Sequence, residues 1–465
     1  MKTQKSNQSK NRSSKLRGVL EILLVIGLIL IIPLFFAIKS VANAPAVQGT
    51  GTPYARATAT SAPQSKPLIS SSPSIQTNAK EPPPCTFPLA QITTSQSTPE
   101  NYTFSEPKVV LTAPKGNIYN IAEWLPDNQQ VLMTEELGSS VEYGKPAPES
   151  IELYNPETGN TKVYATRPIS HELPAWVPQL NAVVYPALNF LGKDQNTGIS
   201  KFTHQIWISY GDPATAQKLA DNLPQLPFAV KPDGSQTLYF SDKQLSKWNA
   251  SMQAIPSTTS FDPTQWDYGK ARDDNPVSYE MAWQPGTSLV FLYSEGAMDG
   301  GGYTFILNAD TGRVCELKFG GWAQTAHWSS DGRYLAIIRS TTYGFPTYSA
   351  ELTVLDTTTG KLTTLDVIPQ EIEGQHYVDD FVWAPDNRHL LAIGDIDTSR
   401  NSQDKIGLYL VDFVSGQSVN ILPAYALYTN SPQSMAWSPD GSKLVVRCPT
   451  QTVDQICFTP VHNGQ

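Results

Sequence analysis

From residue 106 to the end of the chain, apolar and polar residues alternate in short runs, and Gly, Pro, Asn and Asp interrupt those runs at close intervals. Alternation with a period of two predicts half-buried β-strands, and the interrupting residues predict tight turns between them. One stretch recurs. WLPDNQQVLMT begins at Trp124, WVPQLNAVVYP at Trp176, VKPDGSQTLYF at Val230 and WQPGTSLVFLY at Trp283. WSSDGRYLAII begins at Trp328, WAPDNRHLLAI at Trp383 and WSPDGSKLVV at Trp437. The seven starts lie 45 to 55 residues apart, and a near-constant period of this size marks a repeat architecture.

Each copy continues into a second pair of alternating runs around a polar turn, as in AELTVLDTTTGKLTTLD (350–366) and IGLYLVDFVSGQSVNIL (406–422). The unit is therefore four strands, and the expected fold is all-β: a seven-bladed β-propeller of four-stranded blades over residues 106–465. The last copy ends after a third strand, QICFTPVHNGQ, while EPKVVLTAPKG (106–116) supplies a spare strand before the first. Pairing the two would close the ring and remove a sheet edge that invites aggregation.

The repeated residues read as architecture. Trp124, Trp176, Trp283, Trp328, Trp383 and Trp437 are apolar plates suited to packing between blades. Asp127, Asp233, Asp331, Asp386 and Asp440 follow them at the turns. There the carboxylate accepts turn N–H groups, Pro presets φ, and Gly or Asn takes the left-handed position.

At these residues the chain resembles the propeller repeats of the TolB family of the Tol-Pal system, and the WD-like propellers of exported bacterial proteins and prolyl-oligopeptidase relatives. The resemblance covers about residues 106–465 and implies the fold; such repeats host adaptors and enzyme accessory domains alike. TolB-like proteins carry a small α/β domain before the propeller, and in this sequence that place is expected to hold a stalk and an anchor. No G-x-S-x-G nucleophile elbow of the hydrolase relatives occurs, and Ser294 in LYSEG does not fit it. No catalytic residue carries over.

The N-terminal region departs from the alternating pattern. A basic tail (1–17) precedes an apolar run, ILLVIGLILIIPLFFAI, from Ile22 to Ile38. With its flanks this run predicts a transmembrane signal-anchor helix over 18–39, the tail in the cytoplasm and the propeller outside. Cleavage after Ala42-Asn43-Ala44 is the alternative, and would leave a secreted protein. Residues 40–105 are rich in Pro, Ser and Thr and predict a disordered stalk. Residues 1–43 carry +6 of the total −9, so the remainder holds −15, a poor match to nucleic acid.

Topology assigns the connections to two faces. The Trp turns and the turns between third and fourth strands share one face and are tight. The opposite face receives the segments 186–204, 294–303, 339–348 and 394–404, joined by 260–274 and 369–379 from between blades. Functional loops on a rigid scaffold have this distribution. Four residues before the start of each repeat, a polar side chain stands at the expected channel mouth: Asn120, Glu172, Tyr279, Gln324, Asp379 and Gln433, with Leu226 the exception. Such a ring suits a polar ligand, a cation or a peptide terminus.

No zinc spacing or EF-hand loop occurs, and no cofactor motif is found. His327, beside Trp328, reads as a packing residue. The four Cys suit an oxidising compartment; Cys448 and Cys457 fall on neighbouring strands and are expected to pair, leaving Cys85 and Cys315 as a second pair. Two functions follow. One is a non-catalytic, membrane-anchored scaffold for an envelope protein, peptide or polymer. The other is a propeller enzyme of lyase or hydrolase type acting at the loop-rich face.

Overall fold

The computed structural model describes residues 82–92 and 101–464, apart from 115, 138–148, 168–172, 194–199, 224–227, 242–243, 256–279, 295–302, 341–349, 370–374, 398–406, 423–433 and 449–452. The basic tail, the apolar run and most of the stalk lie outside these residues. Among the described residues no helix is long and apolar enough to cross a membrane.

The alternating runs form seven antiparallel sheets, the blades of a seven-bladed propeller. Their inner strands are Asn117–Trp124, Ala175–Val177, Phe228–Val230, Glu280–Trp283, Trp322–Trp328, Gln375–Trp383 and Met435–Trp437. Each blade turns one apolar face to the blade before it and the other to the blade after it. The core is therefore a set of seven apolar clusters, one at each seam, including the seam between blades seven and one.

The Trp residues join the blades in a uniform way. The Trp124 indole N–H donates to the Ala436 carbonyl at 2.9 Å, Trp283 to Ala229 at 3.0 Å, Trp328 to Ala282 at 2.9 Å and Trp383 to His327 at 2.9 Å. In each case the acceptor is the residue just before the repeat start of the preceding blade. Burial of the ring is thus combined with a partner for its one polar atom. Trp437 differs: its indole bonds within its own turn to Gly441, and Tyr102 and Phe104 cover the ring. Trp176 packs edge-on against Tyr164.

The turn carboxylates accept backbone N–H groups as the spacing requires: Asp127 from Gln129, Asp233 from Ser235, Asp331 from Arg333, Asp386 from Arg388 and Asp440 from Ser442. Neighbouring turns interlock. Asn387 Oδ1 accepts the Ser330 hydroxyl, and Asn128 Oδ1 accepts the Asp440 N–H. At Gly332, φ is +74° and a Cβ would lie 2.7 Å from the Pro285 carbonyl of blade four. Only glycine fits that turn so close to its neighbour.

The ring closes as expected and with more chain than expected. Lys108–Thr112 pairs with the third strand of blade seven, Gln455–Gly464, and Asn101–Phe104 pairs farther along the same strand. The 106 boundary therefore falls inside a two-piece closing strand. The stalk reading is also corrected at residues 82–92. Pro84 bridges Glu316 in the outer strand of blade four, and Phe87, Leu89 and Ala90 pack on the seam between blades four and five. A proline-rich composition reads as unfolded, yet here apolar side chains, backbone hydrogen bonds to Glu316 and Thr357 and a disulfide dock a short strap.

Both disulfides form, Cys448–Cys457 within blade seven and Cys85–Cys315 between the strap and blade four. Three segments read as loops contain paired strand. In blade two, Ala182–Lys193 and Ser200–Ser209 make one long hairpin that takes up most of 186–204. In blade six, Gln375 to Val378 pair with Asp397 to Gly394, inside the expected loops 369–379 and 394–404. Pro186 pairs with Ile206, and the inner strand Ala175–Val177 reaches only to Val184, so one edge of the strand at Pro186 has no described strand beside it.

Candidate functional site

The inner strands run from the loop-rich face to the Trp face, so residues four before the Trp lie toward the loop-rich end. Of the expected polar ring, Asn120, Gln324 and Asp379 are described, while Glu172, Tyr279 and Gln433 lie outside the described residues. The three do not present one common environment. Asn120 is 3% exposed and its amide donates to Thr134 Oγ1 at 3.3 Å and Glu136 Oε1 at 2.7 Å. Its role is within blade one. Gln324 and Asp379 each sit at a β-bulge, where the register slips between Ala323 and Thr325 and between Val378 and Asp380. A bulge re-aims the side chain it carries, and both residues are half-buried.

The more telling groups are ones the ring did not include. Three carboxylates, Asp380 and Asp454 buried and Glu123 half-buried, reach across seams to backbone N–H groups in or beside the next inner strand. Glu123 accepts from Trp176 at 2.7 Å, Asp380 accepts from Ser434, and Asp454 accepts from Tyr119 at 2.6 Å. Asp380 also accepts its neighbour Phe381 N–H at 2.8 Å, and Asp454 accepts Arg447 Nε at 3.1 Å. They tie blade one to two, six to seven and seven to one. Sequence spacing offered a weak signal: Glu123 and Asp380 stand one and three residues before a repeat Trp, where most blades carry smaller or uncharged residues.

Their protonation follows from burial. Desolvation raises Glu123 to about 7, against the lowering effect of the Trp176 N–H. Desolvation likewise raises Asp380 to about 7; the Ser434 and Phe381 N–H groups oppose it and the charge on Asp379 adds to it. Burial pushes His327 down to about 4, so it is neutral, and its ring packs edge-on against Phe381 as a core residue. Burial, with Glu135, Glu152 and Asp454 nearby, raises the Tyr119 phenol above its usual range.

Chemically, these carboxylates are committed to holding inner strands together. Among the described residues no group of three or more His, Cys, Asp or Glu is arranged to hold a metal ion. The segments 260–274, 295–302 and 341–348, which carry much of the loop-face chemistry in the sequence, lie outside the described residues.

No family model matches the chain, and no curated protein matches it. Solved structures of similar fold include TolB from Acinetobacter baumannii, 12% identical with a TM-score of 0.36 over 75% of this chain and 81% of that one. An oligogalacturonate lyase from Vibrio parahaemolyticus is 10% identical, TM-score 0.48, covering 78% and 96%. A xyloglucanase from Xanthomonas campestris is 13% identical, TM-score 0.48, covering 76% and 55%. These are likenesses of architecture; a propeller alone does not choose between binding and catalysis.

Proposed function

We propose that this protein is a non-catalytic binding scaffold, held at the outer side of a membrane by its N-terminal apolar run, whose loop-rich face receives an envelope protein, peptide or polymer. One observation carries this reading. The seam carboxylates Glu123, Asp380 and Asp454 each accept an inter-blade backbone N–H, which supports a rigid platform. The interlocked turns of the Trp face supply the rigidity that a recognition surface on the other face needs.

The test is photo-crosslinking of the full chain in its own membrane, run beside a Glu172→Ala/Asp379→Ala variant. The reading expects one dominant envelope partner, lost in the variant while thermal stability is retained. Turnover of an acidic or neutral polysaccharide by the purified full chain, abolished by the same variant, would overturn it in favour of a lyase or hydrolase.

A further inference from the structure

The strap precedes the ring-closing strand in sequence and docks on different blades. Cys85 N–H donates to the Glu316 carbonyl at 2.9 Å, Glu316 N–H to Pro83 at 2.8 Å and Leu89 N–H to Thr357 at 3.0 Å. These partners belong to blades four and five, and the Cys85–Cys315 disulfide makes the hold covalent. Phe87 fills a seat left open by Gly360, where a Cβ would lie 2.6 Å from its ring. The closing strand has no such bond. Asn101–Phe104 and Lys108–Thr112 pair with Gln455–Gly464, the ladder slips between Val109 and Leu111, and no described strand lies on the other edge.

The order along the chain decides what a pull on the N-terminal segment does. Without the disulfide, tension on the residues before Cys85 passes through the strap to Asn101. It then loads the pair Asn101↔Gly464 first and each following pair in turn, because interstrand bonds lie across the strands. Loss of those pairs undoes the closure of the ring and bares a sheet edge. With the disulfide, the same tension leaves the main chain at Cys85 and enters blade four at Cys315. Residues 86 to 112, closing strand included, then carry none of it.

We propose that the strap is a strain relief, which diverts tension on the N-terminal segment into blade four and keeps it off the closing strand. The inference rests on the scaffold reading: a body anchored at its N-terminus and bound to an envelope component is pulled between the two. A staple serving stability alone can sit anywhere on the ring, as Cys448–Cys457 does within blade seven. Cys85 stands instead upstream of the closing strand, where a covalent bond intercepts the pull.

The test is magnetic tweezers on the full chain in nanodiscs, with azide handles at Gln64, before the strap, and at Val414, exposed on blade six. The oxidised protein should show no extension step before the propeller itself unfolds. Cys85→Ser/Cys315→Ser should add a reversible step at lower force. Its length should approach roughly 100 Å, the extended length of the 31 residues between Cys85 and Asn117. Cys448→Ser/Cys457→Ser, which removes a disulfide outside the path, should show no such step, and neither should Phe87→Ala with the disulfide kept. Reduction of the unmodified cysteines under constant load gives a second measurement that needs no variant to fold. Cys85 and Cys315 are half-buried and Cys448 and Cys457 buried, so a dithiol reaches the strap first and should release the same step. That step in the oxidised protein overturns the proposal. So does its absence after the strap cysteines are reduced, or its appearance in every variant. The handle at Gln64 makes these results independent of the membrane. Failure of the full chain to float with lipid vesicles would overturn the anchored reading alone.

Discussion

The two faces of the propeller are built from the same strands and obey different rules. On the Trp face every connection is short, and its chemistry repeats: a carboxylate capping its own turn, and Asn or Gly touching the next turn. Blades five and six add an Arg reaching the turn beside it, Arg333 to Asp356 at 3.0 Å and Arg388 to Asp412 at 2.7 Å. On the opposite face the connections differ blade by blade, from the two residues between Ser241 and Gln244 to the long hairpin of blade two. Constraint by neighbours enforces repetition on one face.

The comparison can be broken most forcefully at a Trp. Trp383→Ala removes a ring that is 8% exposed and bonded to blade five, and should cost about 3–5 kcal/mol in denaturant unfolding. A loss below 1 kcal/mol would mean that the seams do not depend on these plates. Removing the strap's disulfide with Cys85→Ser/Cys315→Ser should cost about 2–4 kcal/mol, more than Cys448→Ser/Cys457→Ser. The reason is that the first closes a separation of 230 residues and the second only 9.

A pH profile sharpens the contrast between seam and turn carboxylates. Asp412, whose folded pKa is lowered by Arg388 and turn donors acting against burial, contributes stability that is present above its unfolded pKa and lost as pH falls through the folded one. Glu123 and Asp380 act in the opposite sense. Their folded values near 7 exceed the unfolded ones, so the native state binds more protons, and stability falls as pH rises from about 4 to 7. Glu123→Gln/Asp380→Asn should flatten that decline in urea titrations between pH 4.5 and 8. An unchanged slope would place the alkaline loss elsewhere. Arg388→Met, on the Trp face, should cost about 1 kcal/mol. Smallest of all, Leu191→Ser and Gln324→Ala should shift stability by no more than ~0.5 kcal/mol.

What was legible in the sequence divides along the same line. Trp124 to Trp437 and the turn Asp residues carried the period and the blade count, because each must satisfy a neighbour of fixed shape, and the spare strand in 106–116 beside the three-stranded last copy carried the closure. The continuation of blade two past Pro186 was not legible, since a proline at an open edge looks the same in sequence as a proline that ends a strand. The strap around Phe87 was hidden by its composition, and Asn101–Phe104 by its brevity. Asn120 shows the limit of reasoning by position. It occupies the same place in its repeat as Asp379, yet its blade bulges two residues later, at Ala122, and turns it inward. Glu123 and Asp380 were missed because their partners are backbone N–H groups, and their place just before a repeat Trp marks them only weakly.

The most direct test of the division is photo-crosslinking in cells from two positions of the full chain, Asp379 near the loop-rich end of blade six and Thr359 in an exposed turn of the Trp face. The account predicts a discrete partner from 379 and none from 359, with both proteins folded. Capture from 359 alone, or the same set from both positions, would contradict it.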